Sequence, residues 1–335
     1  MRCHGLSLNL GDFIMSQKST SSASNRYYGW KRQQPDRRDV RFVPEPHIMS
    51  ALPPAADLTA GMGEVLAQGQ LGSCGPNSID SLVMFDQQKQ GLRVEPISRL
   101  FTYYTTRYLM GTTPYDSGVD NRTMLKAVHK YGFCDETTWP YDINVFTQKP
   151  PQSAYTEALP NAITNYAAVA QDIDAIRGCI ASGFPFLFGF TVYESFESTQ
   201  VTHTGIVPLP GSNERVLGGH DVCVVGYDDS TQRLKFKNSW NGWGENNSGY
   251  GYFPYAYALD RNLSGDFWVI NAIPGGAPTP PPQALSTKLF TLTFDRAVPQ
   301  NGRVACQTPV EIPVGKYDVV PQRAVKDQLF VAKAE

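Results

Sequence analysis

Four side chains in this sequence could together carry out nucleophilic chemistry on a carbonyl group: Cys74, His220, Asn238 and Gln68. A thiol attacks well only as a thiolate, so its ordinary pKa of ~8.5 must be lowered by a cationic neighbour or by the unpaired amides of a helix N-terminus. Cys74 stands where such amides are available. It follows a turn with Gly69 and Gly72 and opens an apolar-periodic stretch, and Pro76 suits a first helical turn, where its missing N–H costs nothing. His220 sits in GGHDVCVVGYDD, at the rim of an apolar strand from which a ring can reach a facing helix. The other four histidines fall in the lead-in segment (His4, His47), a helix (His129) and a polar loop (His203). Asn238, in KNSWNGWGENNSGYGYF, has the amide that could fix the tautomer and orientation of an imidazole, with Trp240 keeping water out. Gln68 could join the Cys74 amide in holding a developing oxyanion. Taken singly, each residue has a plainer reading. A lone helical cysteine is most often a small buried apolar residue, Asn and Trp are common at turn-rich strand ends, and a loop glutamine is usually solvated.

The elements that must position these residues change character along the chain. NSIDSLVMFDQQKQG after Cys74, SRLFTYYTTRYL (98–109), TMLKAVHKYG (123–132) and QDIDAIRGCIASG (171–183) have helical periodicity. Gly91, Gly132 and Gly183 close three of them, and Ser98 is a plausible N-cap. PFLFGFTVY (185–193), HDVCVVGYDD (220–229), RLKFKNSW (233–240), GYGYFPY and DFWVINAI read as strands bounded by turn residues. Helices in the first half and strands in the second indicate an α+β protein. The reading divides the chain into an extended lead-in (1–51) with a polar, Ser-rich stretch at 16–26, a main domain (52–273), a Pro/Gly linker (274–283) and a small β extension (284–335). KLFTLTF, RVACQTPVEIPV and KYDVV are the strands expected in that extension.

Bulk composition excludes several classes. The chain has 335 residues, with 41% hydrophobic and 18% charged residues, ordinary for a globular protein able to bury a large core. A net charge of -2 points to neither a nucleic-acid nor a membrane partner, and no apolar run approaches the ~18 residues of a membrane span. The six cysteines are scattered and do not suggest a disulfide framework. With no recognisable signal peptide, a cytoplasmic or virion-associated setting is expected. The histidines and cysteines lack metal-ligand spacing, so no metal or cofactor is expected. Oligomeric state is not legible.

Taken together, the segments resemble the papain/cathepsin family of cysteine peptidases. QGQLGSCG (68–75), GGHDVCVVGYDD and KNSWNGWGENNSGYGYF are similar to its three active-site motifs, in the family's order, from about Leu52 to Ile273. YYGWKRQQPDRRDVRF, SRLFTYY, GFCDETTWPYD and FGFTVYESF resemble the cathepsin-like proteins of bacteria and large DNA viruses, which carry short lead-in segments. The resemblance implies a papain-like two-lobed fold, with a helical left lobe, a β-barrel-like right lobe and the active site in the cleft. It implies a peptide or protein substrate, Cys74 as nucleophile, His220 as acid/base, Asn238 as its orienter, and Gln68 with the Cys74 amide as oxyanion donors. Gly118 matches a glycine whose backbone binds substrate, while Gly189, Gly219 and Asp221 align with walls of the side-chain pocket next to the cut.

Three departures stand out. Gly75-Pro76 replaces a bulky aromatic after the nucleophile, Leu71 replaces a disulfide cysteine, and Asp221 replaces a small apolar residue. They keep open an inactive binding scaffold, or another acyl transfer such as transglutamination or deamidation, at the same site. Three further expectations follow. Residues 1–51, with Tyr27, Tyr28, Trp30 and Phe42, lie along the cleft and limit access, as in a zymogen. Asp221 favours a basic or polar substrate side chain. The Cys74–His220 ion pair is expected near neutral or mildly acidic pH.

Overall fold

The computed structural model describes residues 26–272 and, beyond them, only two short antiparallel pairings, Phe290–Thr291 with Leu329–Phe330 and Tyr317–Asp318 with Lys333–Ala334. The linker, most of the C-terminal extension and the Ser-rich stretch apart from Arg26 lie outside the described residues. The helices are α1 (Pro46–Met49), α2 (Cys74–Lys89), α3 (Arg99–Met110), α4 (Asn121–Tyr131), α5 (Gln152–Ala158), α6 (Ile173–Ala181), α7 (Thr199–Thr204) and α8 (Tyr255–Leu259). The strands are β1 (Ala55–Asp57), β2 (Asn165–Ala168), β3 (Phe186–Tyr193), β4 (Val216–Asp228), β5 (Arg233–Lys237), β6 (Tyr250–Pro254) and β7 (Ser264–Ala272). They form one antiparallel sheet in the order β2-β7-β3-β4-β5-β6, with β1 added along β4.

Local chemistry accounts for the boundaries. The Ser98 side chain accepts the Phe101 amide at the start of α3, and Gly111 ends it in the left-handed region. Asp120 caps α4 by accepting the Thr123 amide, so this helix opens at Asn121, two residues before its apolar period begins. β4 starts at Val216, earlier than expected. Gly218 and Gly219, which read as turn residues, are ladder positions opposite Val192 and Thr191.

The alternation of the strands builds two cores. Phe186, Phe188 and Phe190 of β3 and Val222 and Val224 of β4 join the aromatic core of the right lobe, where Phe188 stacks on Phe267 at 4.8 Å. The intervening Leu187, Cys223 and Val225 face the other way and pack with Leu82, Val83 and Leu125 of the helical lobe. The sheet is therefore apolar on both faces, one for each lobe. This is the α+β two-lobed arrangement expected from the sequence.

The lead-in segment, expected to stop short of the core, contributes to it. Phe42 is buried against Phe184 with ring centroids 5.6 Å apart, and residues 40–42 pair with Ala168 through Phe42 N–H to Ala168 O (2.9 Å) and Ala168 N–H to Val40 O (2.7 Å). Arg122 holds Asp39 at 2.6 Å. The aromatics of this segment are too sparse to show a period, so their burial was not legible.

Because α4 begins at a side-chain cap, Asp120→Ala should destabilise the fold by about 1 kcal/mol in urea unfolding. An unchanged midpoint and slope would show that the cap contributes nothing.

Candidate active site

Cys74 is the first residue of α2 and is fully buried. Its sulfur receives backbone N–H groups from Gly29, Asp221 and Gly75. The turn before it is tied from several sides. Asp116 accepts the Gly72 amide through both oxygens (3.1 and 3.0 Å) and also holds the Tyr103 hydroxyl, while the Ser73 hydroxyl meets that of Tyr141. A Cβ on Gly75 is the smallest side-chain atom its site would have to take, and it would already lie 3.1 Å from Val119 Cγ2 and 3.2 Å from Met124 Sδ. Those two residues occupy the space expected of a bulky aromatic there.

His220 and Asn238 come together as the sequence implied. His220 Nε2 lies 2.9 Å from Asn238 Oδ1, and the same oxygen accepts the Ser239 amide at 2.8 Å. That second bond fixes the oxygen end of the amide toward the ring, so Nε2 carries the proton and Nδ1 is left as the free base. Nδ1 makes no hydrogen bond. Trp240 stacks on the imidazole at 4.6 Å with the planes 19° apart, and Phe190 meets its edge at 5.5 Å. The structure thus places Trp240 over the histidine, and the pocket expected beside the cut is walled by other residues.

Gln68 is buried, and its groups are all engaged. Nε2 donates to Tyr27 O at 3.0 Å and Leu71 O at 2.9 Å, and Oε1 accepts the Ser239 hydroxyl at 2.6 Å. Its own carbonyl accepts the Tyr141 hydroxyl at 2.8 Å. Arg99 braces the approach to this loop through Ala67 O (3.1 Å), Asn77 Oδ1 (2.8 Å) and Glu136 (2.6 Å).

The lead-in segment crosses the site as a strap. Trp30 N–H donates to Gly219 O (2.8 Å), Val119 N–H to Gly29 O (2.7 Å) and Lys31 N–H to Val119 O (2.9 Å), so the strap bonds to both lobes. The backbone contact expected of Gly118 is made by Val119. Gly118 instead leaves room, since a Cβ there would lie 2.1 Å from Gly29 O, and its amide bonds the Tyr103 hydroxyl. Its φ of 66° suits glycine. Trp30 fills the pocket between Gly189 and Gly219, where added Cβ atoms would meet it at 2.1 and 2.7 Å. Tyr28 presents its ring to His220 at 5.9 Å and its hydroxyl to Glu197. Arg26 pairs with Glu197 at 3.0 Å and lies 4.2 Å over Trp240.

Burial dominates the electrostatics. It pushes the Cys74 thiol up to about 12, helped by the charge of Asp221 and opposed by the three amides. Burial also pushes His220 down to about 4, against the bond to Asn238. Burial therefore acts against the ion pair expected near neutral pH while the strap is in place. Asp221 is fully buried, and its carboxyl is pushed up to about 7.

Several residues of this site carried no signal of their own. Ser239, Tyr141, Tyr103, Asp116 and Asn121 act through contacts far apart in sequence; Ser239, Tyr103 and Tyr141 lie inside quoted segments, but nothing there marks them as parts of the site. The expected Cys, His, Asn and Gln residues all reach the cleft between the lobes, and this arrangement defines a thiol-dependent hydrolase of the two-lobed α+β class. Comparison with known proteins agrees. Residues 114–262 match the papain family cysteine protease pattern, which includes His220 and Asn238. An uncharacterized peptidase C1-like protein of Acanthamoeba polyphaga mimivirus is 38% identical over 280 residues, 76% of this chain and 89% of that one. Xylellain, a cysteine protease from Xylella fastidiosa, is 37% identical with a TM-score of 0.69, covering 73% of this chain and 96% of that one. Digestive procathepsin L 3 of Tenebrio molitor larval midgut, 18% identical, shares the fold with a TM-score of 0.54 over 72% of this chain and 75% of that one. The chain belongs to the papain family of cysteine peptidases, with the bacterial and viral cathepsin-like proteins, and its substrates are peptides or proteins.

Removing the Ser239 hydroxyl leaves Gln68 Oε1 buried without a donor. Ser239→Ala should lower kcat/KM on a peptide by roughly tenfold, the size of one lost buried hydrogen bond. Unaltered kinetics would show that Gln68 needs no such support.

Proposed function

We propose that peptide hydrolysis proceeds through an acyl-enzyme on Cys74, and that residues 26–32 hold the enzyme latent. The observation that carries the first part is the free Nδ1 of an imidazole whose Nε2 is fixed by Asn238. Nδ1 takes the thiol proton, and the thiolate attacks the peptide carbonyl carbon. The carbonyl oxygen becomes an oxyanion held by Gln68 Nε2 and the Cys74 amide. Collapse breaks the C–N bond, and His220 returns its proton to the leaving amine. Water then attacks the thioester and gives a proton to Nδ1, and the acid product leaves as sulfur recovers the proton.

Latency follows from what occupies these groups. The Gln68 donor is spent on Tyr27 O, the sulfur on the Gly29 amide and the side-chain pocket on Trp30, and Tyr28 packs edge-to-face with the imidazole. Under this cover the neutral pair is favoured. Uncovering restores water to both groups and removes the desolvation that opposes charge. Glu197 anchors the strap through Tyr28 and Arg26, beside the catalytic histidine.

An epoxide-type thiol inhibitor should label Cys74 about a hundredfold faster once residues 1–34 are removed, because a covered site reacts only through its open fraction. Glu197→Ala in the full chain should accelerate labelling in the same direction. Labelling should vanish in Cys74→Ala, and peptide cleavage should vanish with it. Equal labelling of the full and shortened chains would refute the latency, and persistent cleavage in Cys74→Ala would refute the nucleophile. Amine incorporation without cleavage would point to acyl transfer in place of hydrolysis.

A further inference from the structure

The pocket closed by Trp30 has an acidic floor with unfilled hydrogen-bonding capacity. Gly219 and Asp221 lie two apart on β4, and Gly189 of β3 lies directly opposite Asp221, so all three face the same side of the sheet. Trp30 spans that side: a Cβ on Gly189 would lie 2.1 Å from its Nε1, and one on Gly219 2.7 Å from its Cε3. Asp221 Oδ1 accepts Asn121 Nδ2 at 2.8 Å, while Oδ2 makes no well-formed hydrogen bond despite the nearby Ser78 hydroxyl. Asn121 Oδ1 is a second buried acceptor with no donor, and the Trp30 Nε1 donor is itself unpaired. Among the described residues no cation pairs with Asp221. Arg32 on the strap is committed to the carbonyls of Arg261 (2.8 Å) and Ser264 (3.1 Å), and Arg122 on α4 to Asp39 (2.6 Å).

Resting on the peptidase reading above, we infer that Asp221 is the specificity-determining residue of this pocket and selects substrates that place a basic side chain there, arginine above leucine. A floor with two unfilled acceptors, Asp221 Oδ2 and Asn121 Oδ1, is complemented by a group that brings several donors and a charge, which a guanidinium does. A leucine would fill the volume but leave the buried carboxyl unpaired. The strap's own tryptophan is flat and carries an N–H but no charge, so it closes the pocket without neutralising Asp221.

The selectivity carries a pH signature. The groups facing Asp221 are Asn121 of α4, Ser78 and Cys74 of α2, and Asp266 of β7, with His220 next to it on the opposite face of β4. Asp266 raises the Asp221 carboxyl, as burial does, while Asn121 and Ser78 lower it. Burial raises the Asp221 carboxyl to about 7 in the covered site, and water admitted when the strap opens brings it down from there, so preference for a cation holds while the carboxyl is charged and fades as pH falls through that lower range.

The test uses the full chain with Tyr28→Ala and Trp30→Ala, which removes the two aromatic side chains that the strap places in the cleft. Fluorogenic peptides carry Arg or Leu at each of the two positions before the cleaved bond, varied one at a time. At one position kcat/KM should favour Arg by roughly tenfold or more at pH 8, the worth of a charge-assisted pair. The ratio should shrink several-fold as pH is lowered from 8 toward 4, and Asp221→Asn on the same background should bring it close to one. The pH profile serves alone if that variant does not fold. Arg and Leu peptides cleaved equally at both positions, or a preference that survives Asp221→Asn, would overturn the assignment while leaving the peptidase reading intact. Cleavage of no peptide would overturn both.

Discussion

Strand β4 is shared by the two lobes, and its two-residue period decides what each lobe can do. Between Gly219 and Val225 the even-numbered residues face the aromatic core of the right lobe and the odd-numbered ones face the helices; beyond the irregularity near Gly226 the order reverses, and Tyr227 joins the right-lobe core. His220 therefore sits among Phe190, Phe196 and Trp240, where packing fixes its plane. Asp221, one residue on, looks the other way, toward α2 and α4. Its backbone amide reaches the Cys74 sulfur. A one-residue slip of β4 would send the imidazole into the helical lobe and the carboxyl into the aromatic core, so the ladders to β3 and β5 that fix its register also fix the catalytic geometry.

Desolvation is the largest influence on all three central groups, and it acts against charge each time. It raises Cys74 and Asp221 and lowers His220. The opposing devices are local: amides on the sulfur, Asn238 on the imidazole, Asn121 and Ser78 on the carboxyl. Such devices hold charges effectively in a partly wet cleft and are outweighed in a sealed one. The strap thus acts twice. In the proposed latency it occupies the positions a substrate would need, and by excluding water it opposes the thiolate and imidazolium of the proposed chemistry.

The features legible in the sequence were those written in contiguous stretches. Cys74 after a glycine turn and before a helical period, and His220 and Asn238 at strand ends, needed only local pattern and order. The alternating faces of β3 were visible in FLFGF. Contacts made across the fold left no such mark. Asn121 carries no sign that it will meet Asp221 a hundred residues later, and Val119 looked like an ordinary apolar residue beside the more suggestive Gly118. The glycines before His220 fall outside the strand expected over 220–229 because glycine usually interrupts strands, yet here Tyr28 and Trp30 lie where side chains at Gly218 and Gly219 would be. The depth at which residues 26–42 are buried depends on partners that no local period reveals.

The departures at Gly75 and Asp221 are linked through one element. With no side chain after the nucleophile, the start of α2 accepts Val119 and Met124 against its backbone. Val119 immediately precedes the Asp120 cap of α4, and Met124 lies in the first turn of that helix. Their contact with Gly75 draws the N-terminus of α4 toward the cleft. Asn121 is the first residue of that helix, and its amide reaches across to Asp221 and to the carbonyl of Asp266 at 3.1 Å. A bulky residue at position 75 would push Val119 and Met124 outward and carry Asn121 with them, leaving a buried carboxyl with neither donor nor solvent. The small residue at one departure is therefore what allows the acidic residue at the other, and the backbone of Val119, held by the same packing, is where the strap forms its ladder.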